Sequence, residues 1–303
     1  MSRVDPSATP RRGLRGAWWI LLAVGLFFVA VLIAQLAEVR RSRGVTRVGD
    51  GRDPATYGFA LDTLELPRHL LAAAMPRDTL EPLRPDRLMT PAAVDSLNRA
   101  ERGKYLVSED EVIGVTVGGV SRAYALRVLA WHEVALDTLG GVPVAVCWHP
   151  LSGAAVVLDR RAPDGVVNLG LSGLVWNSHH LLYDPADLSL WLPLRARGVA
   201  GPAAGDTLAV IPSSLVTWGR WRQAHPRTTT VFPHPDMRAA YKRDPYGNYN
   251  SGDVLRYPVG DLPPLAEGEQ LKDRLDVDAT VVDGVPAARL HGFRFVLDAL
   301  GLR

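Results

Sequence analysis

Residues 143–191 read PVAVCWHPLSGAAVVLDRRAPDGVVNLGLSGLVWNSHHLLYDPADLSLW, and this stretch decides the fold that we predict. Its β-branched and aromatic runs alternate with short turn segments, which is the pattern of strands in a sheet. The stretch also concentrates residues that can do chemistry: Cys147, His149, Asp159, Ser172, Asn177, His179, His180 and Asp184. We therefore expect the sheet built from these residues to carry the functional site.

The rest of the body continues this pattern. Further strands are predicted at 111–117, 121–126, 206–211 and 228–232, and an Asp283-Gly284 hairpin is predicted within 280–290. Short helices are predicted at 91–100, just before 132–133, at 216–225 and at 293–302. Strands joined by short turns favour an antiparallel or mixed sheet over repeated strand-helix-strand units. The predicted fold class is a β-rich α+β domain with a few short helices, covering 104–303.

The charge of the chain is unevenly distributed. Residues 1–52 contain nine arginines and three acids, a charge of +6, so the total of +2 leaves the rest of the chain at −4. Nucleic-acid binding needs clustered Lys and Arg to neutralise phosphates. The body has no such cluster, and we expect no nucleic-acid partner.

Residues 17–37, AWWILLAVGLFFVAVLIAQLA, contain no charged side chain. About 21 residues at 1.5 Å per residue span roughly 30 Å, the thickness of the hydrocarbon core of a bilayer. Trp18 and Trp19 occupy one expected interface, and Arg15 and Arg40 flank the run. We predict a transmembrane helix preceded by a basic tail at 1–16. A cleaved signal peptide is the alternative, but the residues before Ala37 do not match its small-residue pattern.

Arginines occur in similar numbers on both sides of the predicted transmembrane helix, so charge does not decide its orientation. The expected topology therefore follows from the lengths of the segments before and after the helix. A short tail ahead of a long domain is typical of a single-pass signal anchor in the cell membrane, with the body outside the cytoplasm. Residues 38–103 are predicted as a linker and an arm over the core, because they contain six prolines, at 54, 67, 76, 82, 85 and 91.

Two familiar catalytic motifs are excluded. His132 and Glu133 begin a zinc-protease pattern, but that pattern needs a second histidine at position 136, which is Leu136. Ser172 would need a glycine two residues later to form a nucleophile elbow, and that residue is Leu174. His132 and Glu133 stay candidates for acid–base catalysis. A structural histidine bonded to backbone and a turn serine are the alternatives.

Cys147 and His149 are predicted metal ligands. They are two residues apart on a predicted strand, so their side chains should share one face, while Val144, Val146 and Trp148 share the other. A thiolate and an imidazole can begin a site for a transition-metal cofactor. His132, His179 or His180 would complete it. The alternative for Cys147 is a small buried hydrophobic residue.

Ordered blocks over about 110–249 resemble the bacterial and archaeal family known as domain of unknown function 3179. The blocks are EVIGV, SRAYALRVLAWHEV, HPLSGAAVVLDR, LGLSGLVWNSHHLLYD, SLW, GVAGPAAGDTL, TWGRW and DPYGNY. The resemblance implies a membrane-tethered or exported protein and supplies no activity. Residues that match the family are candidates for its site: His132, Glu133, Arg160, Ser172, Asn177, Asp184 and Trp191.

The chain departs from the family pattern at one important place. The family commonly has Cys-Pro-Leu where this chain has His149, Pro150 and Leu151, and Cys147 stands where a threonine is usual. If the family cysteine binds a metal, then either the imidazole of His149 takes its place in this chain or the function is lost.

Two functions follow as expectations. The first is an extracytoplasmic ligand-binding or accessory domain with a polar pocket, since no catalytic motif is complete and aromatic residues cluster with polar ones. The second is a metal-dependent or redox enzyme that uses His149, Cys147 and His132. In either case the partner is an unidentified small molecule or protein, in addition to the membrane.

Overall fold

The computed structural model describes residues 22–33, 48–100, 104–247, 249, 256–258 and 260, and the backbone of 281–282, 285–286 and 288–289. Contacts divide the chain into two compact units, Met1–Thr46 and Arg47–Arg303.

In the first unit, residues 22–33 form helix α1, whose side chains are exposed. The predicted transmembrane segment extends beyond this helix at both ends, into residues outside the described part of the chain, as does the basic tail at 1–16. Among the described residues, no helix combines the length and the apolar character needed to cross a bilayer.

The second unit is dominated by strands. Their bounds are β1 Leu71–Ala73, β2 Leu88–Met89, β3 Glu111–Val117, β4 Val120–Ala125, β5 Val134–Leu139, β6 Val142–His149, β7 Ala154–Asp159, β8 Arg161–Ala162, β9 Gly165–Val166, β10 Gly170–Trp176, β11 His179–Tyr183, β12 Leu190–Leu192, β13 Arg197–Ala200, β14 Ser213–Thr217, β15 Thr229–Val231, β16 Val281–Val282, β17 Val285–Pro286 and β18 Ala288–Arg289.

Among the described residues of this unit, helices are few and short. They are α2 Pro91–Ala100, α3 Leu126–Leu129 and α4 Trp218–Ala224, with 3₁₀ turns at Pro54–Tyr57, Leu61–Thr63, Arg68–Leu70, Pro193–Arg195, Pro235–Met237 and Ala240–Lys242. The sheet-rich α+β class with few short helices is therefore confirmed.

Three larger sheets contain most of the strands, with orders β1-β10-β11-β12-β13, β18-β7-β6-β5 and β14-β3-β4-β15-β2. We call them the outer, central and far sheets. Their pairings are antiparallel except for β15 beside β4, which is parallel. The outer and central sheets are thus antiparallel and the far sheet is mixed, in line with the antiparallel or mixed sheet that the short turns favoured.

The central sheet is buried on both faces because its strands carry apolar side chains on each face. From β6, Val144, Val146 and Trp148 join the hydrophobic cluster shared with the far sheet. Ala145 and Cys147 join the cluster shared with the outer sheet. The predicted division of faces along this strand is confirmed, and the three sheets form layers with the central sheet in the middle.

The other face of the outer sheet is covered by the proline-rich segment. Tyr57, Phe59, Leu66 and Leu70 pack there against strand residues such as Trp176. Trp176 also donates a hydrogen bond from Nε1 to the carbonyl of Pro67, 3.0 Å away. This segment therefore belongs to the same compact unit as the sheets.

Two-residue turns set the register of several hairpins. Gly118 and Gly119, at φ 56° and 77°, connect β3 to β4 as the glycine pair predicted. Asn177 and Ser178, at φ 49° and 60°, connect β10 to β11. Positive φ at both central residues is the type I′ arrangement, whose twist matches that of paired strands.

Some predicted elements have different bounds. Residues 206–211 were expected to form a strand, but only isolated bridges occur there, Thr207 with Arg197 and Val210 with Leu158. The predicted helix at 216–225 begins later, at Trp218, because the preceding residues pair with β3. The strands β16 and β17 pair around 283–284 as predicted. The predicted helix at 293–302 lies outside the described residues.

Candidate metal centre

Glu133 occupies the sharp turn between α3 and β5. Its backbone has φ 57°, a left-handed conformation that costs a non-glycine residue roughly 1–2 kcal/mol. Two backbone hydrogen bonds hold it there, from its own N–H to the Leu129 carbonyl at 2.6 Å and from the Trp148 N–H to its carbonyl at 2.8 Å. Strain of this kind is often found at functional sites. The turn directs the Glu133 side chain into the interior, where the residue is 4% exposed.

His149 ends β6 and is buried. Side chains alternate along a strand, so His149 faces the same side as Cys147, toward the outer sheet. After His149 the chain turns, with the Ser152 N–H bonded to the His149 carbonyl at 3.2 Å. The Ser152 hydroxyl lies 3.0 Å from Nδ1 of His149 and orients its ring.

His180 comes from the outer sheet, next to the turn at 177–178. It lies opposite Val175 in the pairing of β10 with β11. Its Nδ1 lies 3.0 Å from Oε2 of Glu133, and its ring centroid is 4.7 Å from that of His149. The layering of two sheets therefore brings together three residues that are separated along the chain.

Tyr246 adds a fourth polar group. Its hydroxyl donates a short hydrogen bond to Oε1 of Glu133. Its own backbone N–H bonds to Oδ1 of Asp244 at 2.8 Å, which shapes the loop that carries it. Both carboxylate oxygens of Glu133 thus have a partner, as a buried carboxylate requires.

The environment sets the protonation of these groups. Burial alone would raise the pKa of Glu133, but the His180 hydrogen bond, the charges of His149 and His180 and the Tyr246 hydrogen bond lower it to about 2. Burial, with His180 nearby, lowers the pKa of His149 to about 3, against the opposing effect of Glu133. At neutral pH, Glu133 is therefore ionised and His149 is neutral, the forms that bind metals.

The three side chains fit a metal ion. Glu133, His149 and His180 each offer a ligand atom, and these atoms lie within 4.8 Å of one another. Ligands about 2.0–2.2 Å from a zinc ion are roughly 3–3.5 Å apart, so modest side-chain movement would close the set. Two imidazoles and one carboxylate form the donor set of several catalytic zinc sites and of non-haem iron sites. Ser152 and Tyr246 supply the outer hydrogen bonds such ligands need.

A cavity of about 100 Å³ adjoins these ligands. Glu133, His149, His180 and Tyr246 line it together with Met75, Arg256, Tyr257 and aliphatic side chains of the outer sheet. Gly173 shapes one wall, since a Cβ at this residue would lie 2.1 Å from the carbonyl oxygen of Met75. The fold therefore leaves space for a small molecule beside the ligands.

Two predicted site residues lie elsewhere. Cys147 is buried in the cluster between the central and outer sheets, where burial raises the pKa of its thiol far above the usual value. His132 bonds through Nδ1 to the Glu81 carbonyl at 2.7 Å and through Nε2 to the Tyr241 hydroxyl at 2.8 Å. Neither residue joins the ligand cluster found among the described residues. Cys147 thus packs as a small buried hydrophobic residue, and His132 is a histidine bonded to backbone. These were the structural alternatives for the two residues.

Arg160 and Asp184 support loops. The Arg160 guanidinium donates to the carbonyls of Val144 and Val167, at 3.2 and 2.8 Å. Asp184 accepts from the backbone N–H of Asn168 and Ala186, at 3.3 and 2.9 Å. Neither lines the cavity beside the ligand cluster.

Ser172 and Asn177 shape the hairpin that carries His180. Ser172 donates a short hydrogen bond to the Leu181 carbonyl and accepts from Leu174 N–H at 3.0 Å, across an irregularity in the pairing. The Asn177 side chain accepts from the N–H of Gly260 at 2.8 Å. Both act on the geometry of the hairpin rather than on the cavity.

The structure therefore combines Glu133 and His149 from the predicted candidates with His180, predicted only as one of three completing ligands. Tyr246 was not predicted, although it lies in the DPYGNY block that supports the family resemblance. Four tryptophans are buried in the hydrophobic clusters and do not line the cavity: Trp176, Trp191, Trp218 and Trp221.

Comparison with known proteins finds one family. The family described as Protein of unknown function (DUF3179) matches residues 88–285, a longer region than the 110–249 expected from the resemblance. No curated protein and no solved structure matches the chain.

Proposed function

The chain belongs to the DUF3179 family of proteins of unknown function, and from its geometry we propose that it binds a divalent transition-metal ion through Glu133, His149 and His180. The ion would lie beside the cavity and help to hold a small ligand there. The family description gives no activity. The proposal thus joins the two functions expected from the sequence, a ligand-binding pocket and a metal site, at one place.

The observation that supports this proposal most strongly is the convergence of three buried ligating side chains from two sheets. Burying a carboxylate and two imidazoles is costly unless they are paired or coordinate a metal. Glu133 and His180 pair with each other, whereas the His149 ring has, among the described residues, a hydrogen bond only with the Ser152 hydroxyl. A metal ion would use all three donor groups at once.

Borderline metals suit this donor set, zinc and iron(II) foremost. When bound, such an ion supplies Lewis acidity to a coordinated oxygen. The protein itself orients the donors: Ser152 holds the His149 ring, and Tyr246 occupies the oxygen of Glu133 that does not face His180. The apolar walls limit access of bulk water.

We also propose that residues 17–37 anchor the protein in the cell membrane as a single span, with the folded body outside the cytoplasm. The support is the uncharged run of 21 residues and its aromatic and basic flanks. Membrane fractions of cells expressing the full chain should retain it after an alkaline wash, whereas a chain that starts at residue 41 should appear in the soluble fraction. Equal behaviour of the two would contradict anchoring.

Metal content tests the proposed function. Full-length protein reconstituted with Zn²⁺ or Fe²⁺ and then desalted should retain about one ion per chain. Substituting any single ligand, as in Glu133→Gln, His149→Ala or His180→Ala, should weaken binding by more than about 100-fold, since even outer-shell changes cost 10–100-fold.

Two matched variants serve as controls. His69 is an exposed histidine far from the cluster in sequence, and His69→Ala should keep the ion. Cys147→Ser tests the metal role predicted for the thiol, and retention of the ion would exclude that role. Absence of bound metal in the wild-type protein, or equal loss in His69→Ala, would contradict the proposal.

A metal-free acid–base site is a second candidate, favoured by the direct bond between His180 and Glu133. Such a pair can move a proton at Nε2 of His180 while Glu133 and Tyr246 hold the ring and the charge. Full activity of a purified, metal-free protein on an identified substrate would favour it over the metal site.

A further inference from the structure

The cavity beside the metal ligands has a charge balance that changes when a divalent ion enters it. Its lining contains one acidic residue, Glu133, and one permanently cationic residue, Arg256. An imidazole binds a metal in its neutral form, so His149 and His180 add no charge to the metal-loaded cavity. The phenols of Tyr246 and Tyr257 are uncharged at neutral pH, because tyrosine ionises only near pH 10. The carboxylate and the guanidinium cancel, so a divalent metal would leave the cavity with uncompensated positive charge.

Arg256 borders the cavity and is exposed. Its side chain hydrogen-bonds that of Tyr257, and its guanidinium lies 5.5 Å from the ring centroid of Tyr249. It forms no ion pair with any carboxylate in the described part of the chain. A guanidinium is suited to recognising a carboxylate because its planar fork matches the two oxygens.

The remaining walls are aliphatic. Leu174 and Leu181 border the cavity, but their side chains pack on the other face of the outer sheet. Leu151, Leu171 and Val175 supply the aliphatic lining. These side chains offer no hydrogen bonds, and they gain from burying hydrocarbon at about 0.8 kcal/mol per CH₂. A volume of about 100 Å³ admits only a short hydrocarbon chain.

We infer that the ligand of this cavity is a short-chain aliphatic monocarboxylate, with its carboxylate between the metal site and Arg256 and its hydrocarbon against the aliphatic residues Leu151, Leu171 and Val175. The inference rests on the proposed metal site and specifies the class of molecule that the site takes. The cationic end explains why an anion enters, and the aliphatic wall explains why an organic anion is preferred to an inorganic one.

Cobalt-loaded full-length protein provides the test, since Co²⁺ replaces zinc and reports its ligands through visible absorption. Acetate, butyrate, inorganic phosphate and butylammonium would each be titrated and followed by the visible spectrum and by calorimetry. Butyrate should bind about 10-fold more tightly than acetate, because two further CH₂ groups are buried. It should also bind more tightly than phosphate, and butylammonium should not bind.

The Arg256→Gln variant should bind butyrate about 10-fold more weakly than the wild type, while its cobalt spectrum without carboxylate stays unchanged. Arg243→Gln is the matched control, since Arg243 is exposed nearby in the chain and does not line the cavity.

The outcomes separate the two proposals. Failure to bind cobalt contradicts the metal site, and this inference with it. A normal cobalt spectrum that no carboxylate changes overturns the inference and leaves the metal site standing. Phosphate binding more tightly than butyrate, or equal butyrate affinity in wild type and Arg256→Gln, also overturns it.

Discussion

The two faces of the central sheet each bury a polar network, and the networks differ in what surrounds them. On the far-sheet side, Arg122 makes a short ion pair with Asp137, and the Tyr124 hydroxyl bonds the same carboxylate at 2.6 Å. Thr229 accepts from the Arg122 guanidinium at 3.2 Å. On the outer-sheet side, Glu133, His149 and His180 meet beside a cavity.

The difference separates a network that satisfies its own charges from one that faces a cavity, and this supports the proposed function of the second. In the Arg122 network a full cation neutralises a full anion. Further donors within the protein satisfy the hydrogen-bonding capacity of the Asp137 carboxylate. The Glu133 cluster contains one carboxylate, a histidine kept neutral by burial, and open space. Buried charge alone therefore does not distinguish the two networks, whereas ligating atoms beside a cavity do, and the proposed metal site rests on them.

Breaking the Arg122 network should give the largest loss of stability. Arg122→Met leaves the Asp137 carboxylate buried without its cation, which costs about 3–5 kcal/mol in the free energy of unfolding. Urea unfolding would measure this loss, and metal bound per folded molecule should not change. The control is Arg197→Met, whose ion pair with Glu65 is about half exposed and should contribute at most about 1 kcal/mol. Similar losses for both variants would contradict the comparison.

Acid should destabilise the fold through the Glu133 cluster. In metal-free protein, His149 has a pKa of about 3, against about 6.5 when unfolded, and Glu133 has a pKa of about 2, against about 4.5. In both cases the unfolded chain binds more protons as pH falls. Stability is therefore present in full above pH 6.5 and is lost progressively toward pH 2, by an amount on the order of a few kcal/mol.

Urea unfolding of the chelator-treated protein between pH 7 and pH 4 would measure this loss. The His149→Gln variant lacks the titrating ring and should show a shallower dependence on pH. An unchanged slope in this variant would contradict the assignment of the acid sensitivity to His149.

The smallest of these effects concerns the wall of the cavity. Gly173 has φ 76°, and a Cβ there would meet the Met75 carbonyl oxygen. Gly173→Ala should lower the free energy of unfolding by about 1–3 kcal/mol and weaken ligand binding, because the Met75 backbone must shift. Gly119 has a similar φ of 77° with open space around it, so Gly119→Ala measures backbone strain alone. Equal losses from the two substitutions would show that contact with Met75 contributes nothing.

The strands were largely predictable because local patterns set them. Helix α2 begins at Pro91 with Thr90 accepting from the Ala93 N–H at 3.3 Å, as its capping residues indicate. The glycine pair at 118–119 predicted its hairpin correctly. Residues 206–211 were mispredicted because a strand also needs a neighbour to pair with along its length, and that neighbour is a tertiary feature.

The site was only partly predictable, for a reason visible at Cys147 and His149. Both face the outer sheet from one strand, as alternation requires, yet Cys147 packs among aliphatic side chains and His149 meets His180. Distance along the strand decides between these outcomes, because β6 reaches the cavity only at its end. Tyr246 gave no local signal of a role, since its contact with Glu133 joins residues 113 positions apart.

By itself, the sequence determined the β-rich class, the face on which His149 lies and the residues able to bind a metal, because strand alternation and side-chain chemistry are local properties. Only the tertiary structure decided which of those residues meet. Layering of the outer sheet on the central one places His180 against Glu133, excludes His132 and Cys147, and leaves a cavity at that point. Packing of whole sheets sets these contacts, and no local pattern encodes the distance between two sheets.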